Sequence, residues 1–420
     1  MWLLYQLATT VALVLAAPIL LLRRWGHYLP TLRGRLGLAL APPPPPGERP
    51  LWIHAVSVGE VGVADTLIRA LPPELPLLVT TVTPTGQARA RDSLGGRATV
   101  AYLPFELAPV VRKMYDCYSP RGLVLVEGDL WPLVLREATR RRLPVMVVNG
   151  RVSERSYRRM RRLRPLLGPL LEPVRRFAVQ GSGDRRRLED LGVEPERIIE
   201  TGNLKFDTPE PGSAPAAEQL VERLAGGRPV LVAGSTMAGE EEAVLRGLAG
   251  AGGGAAALLV LAPRHPERCD EVARLLAERG VEAVRRSNPE AAGRPVVLLL
   301  DTLGELAGLY RLAAGAFIGG TLVPTGGHNP LEAARYGVPV AVGPSMANFA
   351  DIAARFDDEG AWSRVADGDA LGAVWGAWLA DPDTAARLGA RGQRLVESNR
   401  GALARTVEIL APLTGAGAQP

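Results

Sequence analysis

Three carboxylates stand where two apolar, strand-like segments end, and acid–base chemistry is the first function they suggest. Glu60 follows the strand-like residues 51–57, in the motif Ser57-Val-Gly-Glu60, and Glu127 and Asp129 follow a second strand-like segment. A partly buried carboxylate has a raised pKa and can accept a proton from a hydroxyl near neutral pH. We expect Glu60 to be this general base. Glu127 or Asp129 could be the base instead, or could position Glu60 or the acceptor.

Three turns in the second half of the chain carry groups that suit a phosphate. They are Gly234-Ser-Thr236, Arg264-His265 and the glycine-rich stretch that begins at Gly319, and each follows an apolar segment. The free N–H groups of a turn that opens a helix bind anions, as does the planar fork of an arginine. These turns predict a nucleotide site. One alternative is that Glu240, Glu241 and Glu242 satisfy the first of them and repel a phosphate.

The stretch 319–344 carries most of the polar groups. Its glycines allow the backbone to approach a ligand closely, and His328, Asn329 and Glu332 could bond a ribose or a phosphate. Asn329 and Pro330 predict the start of a short helix over residues 331–336. The alternative is a tightly turned strand–helix–strand segment that binds no ligand.

Apolar strand-like segments alternate with helix-like segments on both sides of a proline-rich stretch at residues 208–215. This alternation predicts an α/β protein of parallel sheets, with two Rossmann-like domains that face a cleft. Ligands of such sheets bind at the carboxyl ends of the strands, where the motifs above fall. The predicted organisation is a membrane anchor over 1–22, a basic and proline-rich spacer over 23–50, a first domain over 51–207, a linker over 208–217 and a second domain over 218–420.

Composition excludes several classes of protein. A chain of 420 residues with 47% hydrophobic and 22% charged residues is folded, and its two cysteines provide neither a disulfide framework nor metal-ligand spacing. No Walker-type Gly-Lys-Ser/Thr and no nucleophile elbow occur. Glycosyl transfer is therefore favoured over ATP chemistry and hydrolysis, and no metal is predicted.

Residues 1–22 contain no charged side chain, and arginines follow at once from residue 23. This length spans the hydrocarbon core of a bilayer, and the arginines place the rest of the chain in the cytoplasm by the positive-inside rule. The sequence thus predicts an N-terminal membrane-anchor helix, single-pass or peripheral. A buried or interfacial helix is the alternative.

Residues 151–176 interrupt the alternation with arginines interleaved with leucines. Such a basic amphipathic segment favours contact with anionic membrane lipid. Nucleic acid is not expected as a partner, because no aromatic platform accompanies the charge. An ordinary solvated helix face is the remaining alternative.

The motifs together resemble one family, the bacterial 3-deoxy-D-manno-octulosonic acid (Kdo) transferases of lipid A biosynthesis. The resemblance covers nearly the whole chain, and its motifs occur in the family's order. They are His54-Ala-Val-Ser-Val-Gly-Glu60, Glu127-Gly-Asp-Leu-Trp-Pro132, Asn149-Gly-Arg-Val-Ser153, Gly202-Asn-Leu-Lys-Phe-Asp207, Gly234-Ser-Thr236, Pro263-Arg-His-Pro-Glu-Arg268 and Gly326-Gly-His-Asn-Pro-Leu-Glu332. The chain departs from the family's common pattern at Gly128, Asp129, Leu133, Met237 and Ser345.

The resemblance implies an inverting GT-B glycosyltransferase of the cell inner membrane, with CMP-Kdo as donor, a lipid A precursor as acceptor and no cofactor. Glu60 matches the family's proposed catalytic base, and Glu127 matches a second essential acidic residue. The candidate donor-binding residues are Ser235, Thr236, Arg264, His265, Gly320, Gly327, His328, Asn329 and Glu332. The candidate acceptor-binding or sugar-binding residues are Ser57, Gly59, Asp129, Arg151 and Lys205.

Two other functions stay open at this point. One is a different GT-B transferase, or an epimerase, that uses a UDP-sugar. The other is a membrane-tethered lipid-binding module without catalytic activity, which the retention of Glu60 and the donor motifs disfavours.

Overall fold

The computed structural model describes residues 29, 31–45, 47–207, 214–289 and 294–415. The predicted anchor over 1–22 and most of the predicted linker lie outside the described residues. The chain divides into two compact units: the first comprises Met1–Pro209 and Asn399–Pro420, and the second comprises Glu210–Ser398. Each unit contains one seven-stranded parallel sheet.

The sheet of the first unit has the strand order β3-β2-β1-β4-β5-β6-β7. Its order reverses between β1 and β4, the point at which ligands bind in doubly wound folds. Its strands are β1 Leu51–His54, β2 Leu77–Thr81, β3 Thr99–Tyr102, β4 Gly122–Val126, β5 Val145–Gly150, β6 Val174–Val179 and β7 Ile198–Glu200.

Helices cover both faces of this sheet, so most of its strand residues are buried. Neighbouring residues of β1 point to opposite faces: Trp52 belongs to one apolar layer, whereas Leu51 and Ile53 belong to the other. The helices are α1 Val58–Arg69, α2 Pro84–Leu94, α3 Ala108–Tyr118, α4 Pro132–Arg140, α5 Glu154–Arg162, α6 Arg164–Leu171 and α7 Ser182–Asp190.

The sheet of the second unit has the order β10-β11-β9-β8-β12-β13-β14. Its strands are β8 Val230–Thr236, β9 Leu258–Pro263, β10 Ala283–Arg285, β11 Val297–Leu299, β12 Gly315–Ile318, β13 Val340–Val342 and β14 Ser363–Arg364. Its helices are α8 Pro215–Ala225, α9 Glu240–Gly250, α10 Gly253–Ala256, α11 Cys269–Glu278, α12 Leu306–Leu309, α13 Leu331–Ala334, α14 Ala350–Asp358, α15 Gly368–Ala380 and α16 Pro382–Ser398.

The last helix, α17 Ala402–Thr414, belongs to the first unit, although residues 218–420 were expected to form the second domain. Leu410 and Leu413 on this helix are buried in one apolar layer of the first sheet. The Asp207 carboxylate also accepts hydrogen bonds from two backbone N–H groups at the start of the helix, at 2.7 and 2.8 Å. An amphipathic helix packs where its apolar face is buried, and here the first sheet buries that face.

Two local expectations are also revised. The helix expected over 331–336 spans only Leu331–Ala334, because the chain turns at Gly337. The basic segment after residue 151 forms two helices, α5 and α6, and then contributes β6 to the sheet. Over the described ranges, no helix combines the length and apolar character needed to cross a bilayer.

Candidate functional site

Glu60 is held at the start of α1 by groups that come just before that helix. Its Oε2 accepts a hydrogen bond from the Val56 N–H at 2.8 Å, and its Oε1 accepts one from the Ser57 hydroxyl at 3.0 Å. Ser57 is the residue that precedes the helix, so Glu60 reaches back to the chain entering it, much as in a capping box. This local geometry fixes the orientation of the carboxylate.

Burial raises the pKa of the Glu60 carboxyl from 4.5 to about 7, because only 9% of the residue is exposed. The hydrogen bond from Val56 opposes this shift by stabilising the ionised form. The negative charges of Glu127 and Asp129 add to it. The three carboxylates therefore interact electrostatically, and the pKa of Glu60 lies in the range of a general base at neutral pH.

Glu127 directly follows β4 and adopts the left-handed region of backbone conformation, with φ at 60°. For a residue with a side chain this costs about 1–3 kcal/mol, and such strain is concentrated at functional sites. The Glu127 carboxylate pairs with the Lys205 ammonium at 3.1 Å, and both side chains are largely buried. The sequence analysis named both residues, and the fold brings them together although they are far apart in the chain.

A chain of buried amides supports this ion pair. Asn149, which also has a positive φ of 52°, donates from Nδ2 to the Glu127 carboxylate at 3.4 Å and accepts from the Leu204 N–H at 2.9 Å. Gln180 Nε2 donates to the Asn149 carbonyl at 3.0 Å, and Asn203 Nδ2 donates to Gln180 Oε1 at 2.9 Å. The sequence analysis did not assign roles to these three amides. The signal available was their position at or just after the carboxyl ends of β5, β6 and β7, at one edge of the sheet.

The remaining acceptor-side candidates lie around these carboxylates. Gly59 is exposed in the first turn of α1, and Asp129 is exposed beyond Glu127. The Arg151 N–H donates to the Glu127 carbonyl at 3.1 Å, which ties the loop after β5 to the loop after β4. The positive charge of Arg159 on helix α5 acts on the Asp129 carboxyl.

In the second unit, the structure changes the role of the glutamates that follow β8. Glu240 is fully buried, and its carboxylate accepts hydrogen bonds from the N–H groups of Gly320, Thr321 and Leu322. These N–H groups were expected to face an anion, but Glu240 already occupies them. Glu240 also accepts a hydrogen bond from the Met237 N–H, just after β8. The alternative that glutamates bind the N–H groups of the turn after β8 is therefore correct for Glu240.

Arg264, His265 and His328 form a basic cluster at the carboxyl ends of β9 and β12. Burial, together with the positive charges of Arg264 and His265, lowers the pKa of His328 to about 4. His328 is therefore neutral at pH 7. Its Nε2 is buried and has no partner among the described residues. Arg264 and His265 are exposed, so their side chains can reach a ligand.

Ser235 and Thr236 differ in what they offer. Ser235 is half-buried, with φ at 58°, at an irregularity near the carboxyl end of β8. The buried Thr236 hydroxyl donates to Glu241 at 3.0 Å, while its carbonyl accepts from the Arg264 N–H at 2.9 Å. Thr236 therefore connects the β8 turn to the β9 turn, and its side chain is already used within the protein.

Glu241 and Arg268 form a buried pair that the sequence analysis did not identify. Arg268 donates to both carboxylate oxygens of Glu241, at 2.8 and 3.2 Å. A two-point contact of this kind fixes orientation as well as distance. It anchors the loop that carries Arg264 and His265 against the start of α9.

Asn329 and Glu332 lie at the start of the short helix α13. Asn329 Oδ1 accepts from the Leu331 N–H at 3.1 Å, and its Nδ2 donates to Glu332 at 3.3 Å. The negative charge of Glu332 acts on the Tyr310 hydroxyl. This hydroxyl oxygen occupies the position that a Cβ atom at residue 234 would take, so only glycine fits there. Across the described segments, no three His, Cys, Asp or Glu side chains converge as metal ligands.

Helix α5 presents a basic surface with no buried residue. Arg158 pairs with Glu154 at 2.8 Å and Arg161 approaches Asp190 at 3.8 Å. The other exposed arginines of this helix are Arg155, Arg159 and Arg162. The positive face expected from the sequence is present on a regular helix.

Comparisons with known proteins give a consistent result over most of the chain. A family model described as 3-deoxy-D-manno-octulosonic-acid transferase (kdotransferase) matches residues 30–208. The chain is 33% identical over 402 residues to the 3-deoxy-D-manno-octulosonic acid transferase of Haemophilus influenzae, covering 93% of this chain and 92% of that protein. It is 35% identical over 359 residues to the protein of the same name from Bordetella pertussis, covering 82% of each.

Solved structures share the fold at low identity. HepE of Anabaena in complex with UDP and glucose is 12% identical, with a TM-score of 0.52 over 88% of this chain and 100% of that one. A UDP-N-acetylglucosamine 2-epimerase is 14% identical, with a TM-score of 0.54 over 89% of this chain and 98% of that one. The expected α/β class with two Rossmann-like domains of GT-B type is thereby confirmed.

Proposed function

Because the chain belongs to the family of 3-deoxy-D-manno-octulosonic acid (Kdo) transferases, glycosyltransferases of lipopolysaccharide biosynthesis, we propose that it transfers Kdo from CMP-Kdo to the lipid A precursor lipid IVA. The transfer inverts the anomeric carbon and takes place at the cytoplasmic face of the inner membrane. The observation that carries the catalytic part of the proposal is the raised pKa of Glu60.

Glu60 acts as the general base. At a pKa of about 7, it is about half ionised at neutral pH, and it can still accept a proton effectively. The acceptor hydroxyl gives its proton to Glu60 while its oxygen bonds to the anomeric carbon of Kdo. The bond from that carbon to the phosphate oxygen breaks at the same time, and CMP leaves with the electron pair. The hydrogen bonds from Val56 and Ser57 keep the carboxylate aimed during this step.

Glu127 and Lys205 set the charge around the base. Ionised Glu127 raises the pKa of Glu60, while its pairing with Lys205 keeps a carboxylate stable beside a second one. Their amide supports hold the ion pair in one place. We assign Glu127 the role of tuning and positioning Glu60 and the acceptor, with Asp129 and Arg151 nearby on the acceptor side.

Arg264 and His265 bind the phosphate of the donor. Both are exposed on one turn, and an arginine fork neutralises the charge that grows on the leaving phosphate. Neutral His328 adds a hydrogen-bonding nitrogen beside them. Asn329 and Glu332, at the start of the next helix, bond the ribose. The Glu241–Arg268 pair keeps the phosphate turn in place.

The basic face of α5 contacts anionic membrane lipid, together with the anchor that the sequence predicts over 1–22. The arginines of this helix are already exposed, so approaching an anionic surface costs them little desolvation. Each contributes about 1 kcal/mol to the free energy of membrane binding. This contact keeps the acceptor side of the first unit near the membrane, since the charge of Arg159 reaches Asp129. Flotation with vesicles of anionic and of neutral lipid tests it: equal binding to both contradicts an electrostatic contact.

The proposal is tested by incubating the full chain with CMP-Kdo and lipid IVA and recording the mass of the product. We expect the mass of the lipid to increase by one or more Kdo units. Release of CMP without a modified lipid would contradict the proposal that lipid IVA is the acceptor. A parallel reaction with UDP-N-acetylglucosamine tests the alternative of a UDP-sugar enzyme, because turnover of that compound would refute the donor assignment.

A further inference from the structure

The buried Glu240 carboxylate connects helix α9 to the loop that carries the donor motif. Its Oε1 accepts from the N–H groups of Thr321 and Leu322 at 2.9 and 2.8 Å, and its Oε2 accepts from those of Gly320 and Met237 at 2.6 and 2.9 Å. A carboxylate has about four lone-pair sites, so this one is fully used by the backbone. Its charge is thereby compensated although it is shielded from water.

The loop held by Glu240 folds back on itself and places His328. The Gly320 carbonyl accepts from the Gly327 N–H at 2.8 Å, and the Gly319 carbonyl accepts from the His328 N–H at 3.2 Å. Gly320 has φ at 70°, and a methyl group added to it would lie 2.8 Å from Cδ2 and 3.0 Å from Nε2 of His328. The imidazole therefore packs directly against the segment that Glu240 fixes.

We propose that Glu240 is a positioning residue for donor binding, acting through the loop 320–328 on His328. The inference rests on the proposed function in one respect, namely that this unit binds the nucleotide donor. Glu240 touches neither the donor nor the reacting atoms. It keeps His328 Nε2, which has no partner in the part of the chain that the structure describes, available to the donor.

Glutamine at position 240 has nearly the same shape as glutamate, but it has fewer hydrogen-bond acceptor sites and carries no charge. Its single carbonyl oxygen can accept two of the four hydrogen bonds, and its NH2 group would face N–H donors. Glu242 provides a matched control on the same first turn of α9, since its side chain is half-exposed and pairs with Arg279 at 2.7 Å. Glu242→Gln removes the same charge without touching the loop.

Hydrogen exchange in the ligand-free protein tests the structural half of the inference without relying on any donor. The backbone amides of residues 320–322 and 327–328 are expected to exchange at least about tenfold faster in Glu240→Gln than in Glu242→Gln or the wild type. Equal protection in the three proteins would overturn the inference, because the loop would then be held without Glu240.

Steady-state kinetics with CMP-Kdo and lipid IVA tests the functional half. Glu240→Gln is expected to raise the donor KM at least about tenfold while leaving the acceptor KM unchanged, and Glu242→Gln to change neither. Because Glu240 acts through His328, the double variant Glu240→Gln/His328→Ala should lose little more than His328→Ala alone. Additive losses, or an equal rise in both KM values, would overturn the inference.

Gly320→Ala keeps the inference testable if Glu240→Gln does not fold. The added methyl group would lie 2.8 Å from His328 and 2.9 Å from the Thr325 hydroxyl, so it disturbs the position of His328 without removing the Glu240 carboxylate. The donor KM should again rise at least about tenfold while the acceptor KM stays constant. An unchanged donor KM would overturn the inference. If the wild type transfers nothing from CMP-Kdo, the proposed function fails, whereas the exchange experiment still decides the role of Glu240.

Discussion

Replacing Glu60 with glutamine separates the chemical role of this residue from its structural role. The amide oxygen can still accept from the Val56 N–H, and the NH2 group can donate to the Ser57 hydroxyl, so both local hydrogen bonds have counterparts. What the variant loses is the group that accepts a proton. We therefore expect transfer to fall by about 10²–10⁴-fold while the fold is preserved.

The same substitution has a calculable effect on stability. Burial raises the pKa of Glu60 from 4.5 to about 7 in the folded protein, a difference worth at most about 3 kcal/mol. Because the folded pKa is the higher one, the protonated form stabilises the wild type below about pH 4.5, and this contribution is lost as pH rises through about 7. Glutamine stays neutral. Glu60→Gln should thus gain stability relative to the wild type between pH 5 and pH 8.

Two measurements check this reasoning together. Urea unfolding of both proteins at pH 5 and pH 8, followed by tryptophan fluorescence, should show a difference in unfolding free energy that grows with pH. In the wild type, kcat/KM should fall about tenfold per pH unit below about pH 7, as Glu60 becomes protonated. A difference in stability that does not change with pH, or near-normal transfer by Glu60→Gln, would refute the assignment.

Three further predictions concern supporting contacts. Lys205→Met leaves Glu127 without its ion-pair partner, so the limb of the pH–rate profile should move and kcat should fall at least about tenfold; an unchanged profile would contradict a tuning role. Gly234→Ala places a methyl group 1.9 Å from the Tyr310 hydroxyl, so CMP affinity measured by calorimetry should decrease, and an unaltered affinity would dissociate this turn from the donor site. Asp207→Asn weakens two hydrogen bonds to the start of the last helix, so unfolding free energy should fall by about 1–2 kcal/mol, and protection of that helix from hydrogen exchange should fall with it.

The sequence predicted the alternating strands and helices because each element depends on residues close together in the chain. The apolar runs that become β1 and β4 are buried on both faces, as their composition indicates. The geometry of Glu60 is equally local, since its partners are three and four residues away. For the same reason the sequence alone places the motif turns at the ends of strands.

The membership of the last helix could not be predicted in this way. Its apolar stripe indicates that it packs on a sheet, but two sheets were available and it follows the second in the chain. Only the tertiary structure shows that Leu410 and Leu413 are covered by the first unit. Sequence order suggests that a helix packs on the domain that precedes it, whereas the packing of its apolar side chains depends on which sheet has a complementary apolar surface.

The sequence by itself determined the fold class, the family and the position of Glu60, because these depend on short-range patterns and motifs. The tertiary structure alone decided that Glu127 pairs with Lys205 and that Glu240 occupies the N–H groups of Gly320, contacts between residues 78 and 80 positions apart. Hydrogen bonds and ion pairs act over a few ångströms in space, whatever the separation along the chain. Glu60 and Glu240 both lie in the first turn of a helix. The Glu60 carboxylate is held by the chain just before its helix, whereas the Glu240 carboxylate is enclosed by backbone N–H groups of a loop distant in the chain.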